Sequence, residues 1–168
     1  MGQYFKGAIL KINHKLAKQP VLFSVRPGEY NNLSKLIEHS YIGNLYVGAY
    51  MEMISDTDGV YFGYPFVWIG DYADAVKGKD YYDFATEMCN KFRGHSEKVT
   101  GRKYYKYLVN LSKKEYVIMP KYDMKTWQMH PLSLLTAYGN SRGGGDYSGE
   151  DEKNVGRWAF DKIGATNN

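Results

Sequence analysis

Residues Tyr4 to Ile12 read Tyr-Phe-Lys-Gly-Ala-Ile-Leu-Lys-Ile, aromatic and β-branched enough to predict a strand. Val21 to Val25, after Pro20, predicts a second strand, closed by a turn at Pro27-Gly28. Asn31 or Asn32 is placed to cap a short helix with Leu33, Leu36 and Ile37 on one face, broken by Gly43 and Asn44. Leu45 to Ile54 alternates in both registers, with Tyr46, Gly48 and Tyr50 in one and Val47, Ala49, Met51 and Met53 in the other. It is expected as a strand. Asp58-Gly59 marks a turn over Asp56 to Gly59. The most apolar run is Val60 to Ile69, where Pro65 points to an edge strand or a bulge.

The period changes from two to 3.6 at Asp80. Tyr81, Phe84, Ala85, Met88, Cys89 and Phe92 share one face of a predicted helix, with Asp80 as N-cap and Gly94 as its stop. Cys89 therefore falls on the buried face and reads as structural. His95 to Gly101 is a polar connector, Tyr104 to Leu111 a strand and Glu115 to Met119 another. Pro131 suits the first turn of a second short helix, with Leu132, Leu135 and Tyr138 on one face and Gly139 ending it. Ser148 to Asn154 is acidic and expected to be exposed. Val155 to Ile163 reads as a strand, and Ala165 to Asn168 should fray.

The two halves echo each other. Tyr4-Phe5-Lys6 matches Tyr104-Tyr105-Lys106, and Leu33-Ser34-Lys35-Leu36 resembles Leu132-Ser133-Leu134-Leu135. Gly43-Asn44 and Gly139-Asn140 follow, and each half closes on Ile-Gly, at Ile69-Gly70 and Ile163-Gly164. The pattern predicts a single α+β domain, mainly an antiparallel sheet with a few short helices. Within it, degenerate repeats over 1–75 and 101–168, joined by a helix at 80–93, would pack about a pseudo-twofold axis.

Composition narrows the function. The 168 residues include 43% hydrophobic residues, enough to bury a core. Seventeen tyrosines suit half-buried sheet surfaces and pockets for flat ligands. A net charge of +4 allows an anionic ligand, but no Lys/Arg run suggests a long nucleic acid. The single cysteine fits a reducing cytoplasm. The first residues lack a continuous apolar leader, and no run approaches a membrane span. Tyrosine-rich edges allow a homodimer.

The stretch Gly139 to Asp146, Gly-Asn-Ser-Arg-Gly-Gly-Gly-Asp, is the candidate site. Backbone amides of Gly143, Gly144 and Gly145, with Asn140, Asp146 and the guanidinium of Arg142, would form a concave anion grip. Tyr138, Tyr147 and Trp158 flank it and could stack on a base, with Arg157 as a second cation; core packing is the alternative for Trp158. The loop follows a helix C-terminus, so the grip must come from its own amides and from Arg142. It is no mononucleotide loop, because Gly145 and Asp146 stand where Lys and Ser or Thr belong. His14, His39, His95 and His130 show no metal-ligand spacing, so no metal or cofactor is expected.

Several stretches carry a resemblance: Met1-Gly2-Gln3-Tyr4, the segment Val109 to Tyr116, Gly139 to Tyr147, and Gly156-Arg157-Trp158-Ala159. The chain resembles an uncharacterised group of small bacterial and bacteriophage proteins with a Met-Gly-Gln-Tyr start, an Asn-Gly-Arg-Gly-Gly-Gly-Asp loop and a Trp-Ala-Gly-Asp turn. Ser141 and Phe160 stand where that group has glycine, and Gly70-Asp71-Tyr72-Ala73-Asp74 precedes the loop instead of following it. The resemblance implies an α+β domain and a phage origin, and brings no activity. Together these readings favour non-catalytic binding of a small phosphorylated molecule, a nucleotide, in the host cytoplasm. A phage sponge for a host-defence nucleotide signal is one form of that role. The alternatives are a metal-dependent phosphodiesterase using Asp146, Asp161 and Asp71, and an inhibitor that occludes a host enzyme.

Overall fold

Strands β1 (Phe5–Leu10) and β2 (Val21–Phe23) form where aromatic and β-branched residues cluster. The computed structural model describes residues 3–30, 33, 35–93, 99–121, 128–139 and 152–168. Helix α1 (Leu36–His39) is a single turn with Lys35 at its N-cap. The expected caps Asn31 and Asn32 lie outside the described residues. Helix α2 (Leu45–Met53) replaces the strand expected there. Asn44 does not break a helix but starts this one: its side chain accepts the amides of Tyr46 and Val47. Eight of the nine residues of α2 are buried, so no polar face exists to reveal a 3.6 period.

Strand β3 (Tyr64–Gly70) is central, not an edge. Pro65 is tolerated for a local reason. Phe66 N–H donates toward Asp161, so the Pro65 nitrogen faces the β1 side, where pairing ends at Ile9 opposite Phe66. Helix α3 (Tyr81–Lys91) lies where the periodicity places it, with the Asp80 carboxylate accepting Asp83 N–H. Strands β4 (Tyr107–Asn110) and β5 (Glu115–Ile118) form a hairpin. Helix α4 (Pro131–Thr136) carries proline in its first turn. It stops before Gly139, because Ala137 and Tyr138 form β6 (Ala137–Tyr138), parallel to β3.

The strand expected over Val155 to Ile163 is instead a turn that leads into β7 (Lys162–Thr166). Gly156 and Phe160 both have positive φ, 76° and 70°, which breaks an extended run. The turn is useful where it is: the amides of Gly156 and Trp158 cap the carbonyls of Leu134 and Leu135 at the end of α4. Phe160 adopts the left-handed conformation that glycine favours. The expected fraying at Ala165 is also corrected. Ala165 is fully buried, its amide donates to Ile54 O, and its carbonyl accepts Asp56 N–H.

The protein is α+β, with a sheet ordered β2-β1-β3-β7-β4-β5 and β6 beside β3. From either edge the order is the same: an antiparallel hairpin, then the strand that returns beside its first member. A repeated β-β-α-β unit would produce this order about the β3–β7 pair. The side-chain matches in the sequence are not in structural register, since Ile69 pairs with Lys6 whereas Ile163 pairs with Asn110. Helices α2 and α4 pack on one face, over Phe5, Ile9, Phe66, Trp68, Leu108 and Ile163. Helix α3 packs on the other, over Ala8, Leu10, Val21, Val67 and Ile69.

Candidate functional site

Most of the sequence-predicted site, Asn140, Arg142, Gly143, Gly144, Gly145, Asp146 and Tyr147, lies outside the described residues. The rest do not converge. Trp158 is fully buried in the core with α2 and α4, and its indole N–H donates to Glu115 at 2.9 Å. Arg157 pairs with the same carboxylate at 2.9 Å, its guanidinium 5.8 Å from the Trp158 ring. The Trp158 hydrogen bond, and then Arg157, hold Glu115 below the usual carboxylate range. Tyr138 belongs to the α3-side cluster, edge-on to Phe160 at 5.1 Å.

Of the three carboxylates of the hydrolase alternative, Asp146 lies outside the described residues and the other two are engaged. Asp161 accepts from Lys113 and from Asn110, and Asp71 accepts Tyr4 N–H. Among the described residues no group of three or more His, Cys, Asp or Glu is placed to hold a metal ion. Cys89 is buried beside Ser24, and burial pushes its thiol pKa up, as suits a packing residue.

A different place gathers ligand-binding chemistry. The chain before α2 and the chain before α4 meet: Ile42 N–H donates to Gln128 O, and His130 N–H donates to Ser40 O, at 2.9 and 2.8 Å. The N-caps Asn44 and His130 thereby reach one cleft of about 360 Å³, within the size range of small-molecule sites. Its far wall is the segment 101–105. That wall is fixed from behind. The Gly101 amide donates to the buried carboxylate of Glu52 at 2.5 Å, and Gly101 packs so close to Gly48 that a Cβ on Gly48 would come 2.0 Å from the Gly101 carbonyl oxygen. Further along, Tyr105 and Lys103 both donate to Asp58, at 2.5 and 2.8 Å.

Arg102 lies between these two anchors. Its backbone is held, while its exposed guanidinium meets no carboxylate among the described residues. His130 supplies the floor. Its Nδ1 accepts Leu132 N–H at 3.0 Å, which leaves the proton on Nε2. Burial holds its pKa down to about 3, so the ring is a neutral donor at pH 7. Tyr104, Met51, Met119 and Pro120 give the cleft an apolar side. An anion fits at Arg102, where the N-terminus of the nine-residue α2 adds partial positive charge. A flat apolar body fits against Tyr104.

Sequence reasoning passed over Arg102 because Gly101-Arg102-Lys103 reads as the tail of a polar connector. The one local signal was a Gly-Arg step entering a strand, too common to single out. No family model, curated protein or solved structure matches the chain.

Proposed function

We propose that this protein binds a small phosphorylated ligand, a nucleotide, and holds it without turnover. The observation that carries the proposal is the exposed guanidinium of Arg102, which meets no carboxylate among the described residues, at a cleft that the α2 N-terminus and the buried His130 also line. Phosphate would sit at Arg102, whose planar fork suits its oxygens. The base would lie along Tyr104 and the two methionines. Nothing in this reading uses a nucleophile or a general base: the buried imidazole stays neutral and serves as a donor. The role that follows is sequestration, and the phage resemblance makes a host-defence nucleotide the signal removed.

Calorimetry against a panel of nucleoside mono-, di- and cyclic phosphates tests this, with chromatography of the recovered ligand. The expected result is saturable binding of at least one member, recovered intact, and weakened about ten-fold or more in Arg102→Ala, the scale of a lost charge-assisted contact. No binding across the panel, or ligand returned chemically altered, would overturn the proposal.

A further inference from the structure

The face of the sheet that α3 covers beside β1, β2 and β3 carries no helix beside β4 and β5 among the described residues. Pairing puts Tyr107 opposite Ile118 and Val109 opposite Tyr116, all directed away from the α2 side, where Leu108 enters the core. Tyr116 and Ile118 are each 63% exposed. The Tyr107 and Tyr116 rings stand edge to face, 5.6 Å apart, in a concavity of about 640 Å³ that Lys114 also lines. Past the Lys106–Tyr107 step, a second concavity of about 580 Å³ is lined by Tyr104, Lys106 and Lys121.

Charge decides what fits there. Lys106 (5.3 Å from the Tyr107 ring centroid), Lys114 and Lys121 pair with no carboxylate among the described residues. The carboxylates nearby are occupied. Glu115 is held by Arg157 and Trp158, Asp58 by Lys103 and Tyr105, and Asp56 by the Thr166 hydroxyl. A second copy of this chain would bring the same three lysines against these, and like charges oppose that contact. A helix like α3 sits, in the other half, on the aliphatic surface of Ala8, Leu10, Val21, Val67 and Ile69. Here the surface joins the Tyr107 and Tyr116 rings to Val109 and Ile118, with Lys114 lining the same concavity and Lys106 beside the Tyr107 ring, a combination of stacking rings and cations that suits bases and their phosphates.

We infer that this face, from Tyr116 and Tyr107 round to Lys106 and Lys121, binds single-stranded nucleic acid of a few nucleotides, and that Arg102 takes no part in it. The cations come from three separated segments, so no Lys/Arg run marks them in the sequence. Bases stack on the exposed rings, and the backbone follows Lys114, Lys106 and Lys121.

Fluorescence anisotropy with a labelled ten-nucleotide oligo(U) tests it against a duplex of the same length, heparin and poly-glutamate. The single strand should bind, with log K falling against log salt at a slope of about −2 for three phosphate contacts. Tyr116→Ala should weaken binding about ten-fold, with its circular dichroism unchanged. Lys114→Gln should reduce the slope by about 0.7. Arg102→Ala should leave strand binding intact even if it abolishes nucleotide binding, which separates the two proposals. No anisotropy change, equal competition by heparin or poly-glutamate, equal binding of the duplex, or loss of strand binding in Arg102→Ala would each overturn the inference.

Discussion

The two halves of the sheet share a strand order and a covered face, and they part company on the opposite face. Beside β1 and β3 that face is aliphatic and closed by α3, through Tyr81, Ala85 and Met88. Beside β4 it mixes tyrosine with Val109 and Ile118, and no helix among the described residues closes it. The same topology thus gives a half buried on both sides and a half buried on one. The strands record the difference: Phe66, Val67, Trp68 and Ile69 of β3 are all buried, whereas β4 alternates buried with half-buried positions. A continuous apolar strand carries stability here, and an alternating one leaves a surface free for contacts.

The sharpest way to break this comparison is to place an aspartate on each side of it. Ala85 is fully buried between α3 and the sheet, so Ala85→Asp places an unpaired carboxylate there and should cost about 4 kcal/mol. Ile118→Asp on the open face should cost under about 1 kcal/mol, the scale of β-propensity. Urea midpoints measure both. Similar losses at the two positions would mean that something covers the second face in solution.

What the sequence made legible follows the same division. Helix α3 is amphipathic because it has one sheet below it and solvent above, and the Asp80 cap and the spacing from Tyr81 to Phe92 locate it. Helix α2 lies between the sheet and the 101–105 segment and is buried all round, so its residues show no period, and a helix reads as an ambiguous strand. Pro65 misleads for a different reason. Its missing donor matters only on the side where β1 has already ended, which no local pattern reveals. The turn over 155–160 hides because Phe160 is an aromatic residue in a glycine conformation. The cleft escapes because its parts, Asn44, Arg102 and His130, are brought together by pairing between chain segments far apart in sequence.

The two N-caps at that cleft give a second matched pair, with a somewhat smaller effect. Asn44 and His130 do the same work at the starts of α2 and α4, each accepting backbone amides. Only the histidine titrates. Its folded pKa of about 3 lies below the unfolded value of 6.5, so its contribution is complete above pH 6.5 and is lost progressively as pH falls toward 3. The slope approaches about 1.4 kcal/mol per pH unit, or about 2.5 kcal/mol between pH 7 and 4.5. His130→Asn keeps a cap of the Asn44 kind and should flatten the stability profile over that window. Denaturant titrations of both proteins at several pH values read this directly. Parallel profiles would show that the imidazole is not neutral in the folded state.

The smallest expected difference lies between two tryptophans, one in each half. Trp68 and Trp158 are both fully buried, and Phe in place of either removes a similar volume. Their indole nitrogens differ. Trp158 donates to Glu115, while Trp68 Nε1 is buried with no hydrogen-bond partner among the described residues. Trp158→Phe therefore loses packing and a charge-assisted hydrogen bond, and strands Arg157 and Glu115 as an ordinary surface pair. Trp68→Phe loses packing but also removes a donor that the core leaves unsatisfied, which offsets part of the loss. The Tm of Trp158→Phe should fall further than that of Trp68→Phe, by about 4 °C. The double-sided half would then tolerate an aromatic exchange better than the single-sided half, even though its core is the more continuous. The reverse order in a calorimetric scan would mean that packing around Trp68 outweighs its unpaired nitrogen.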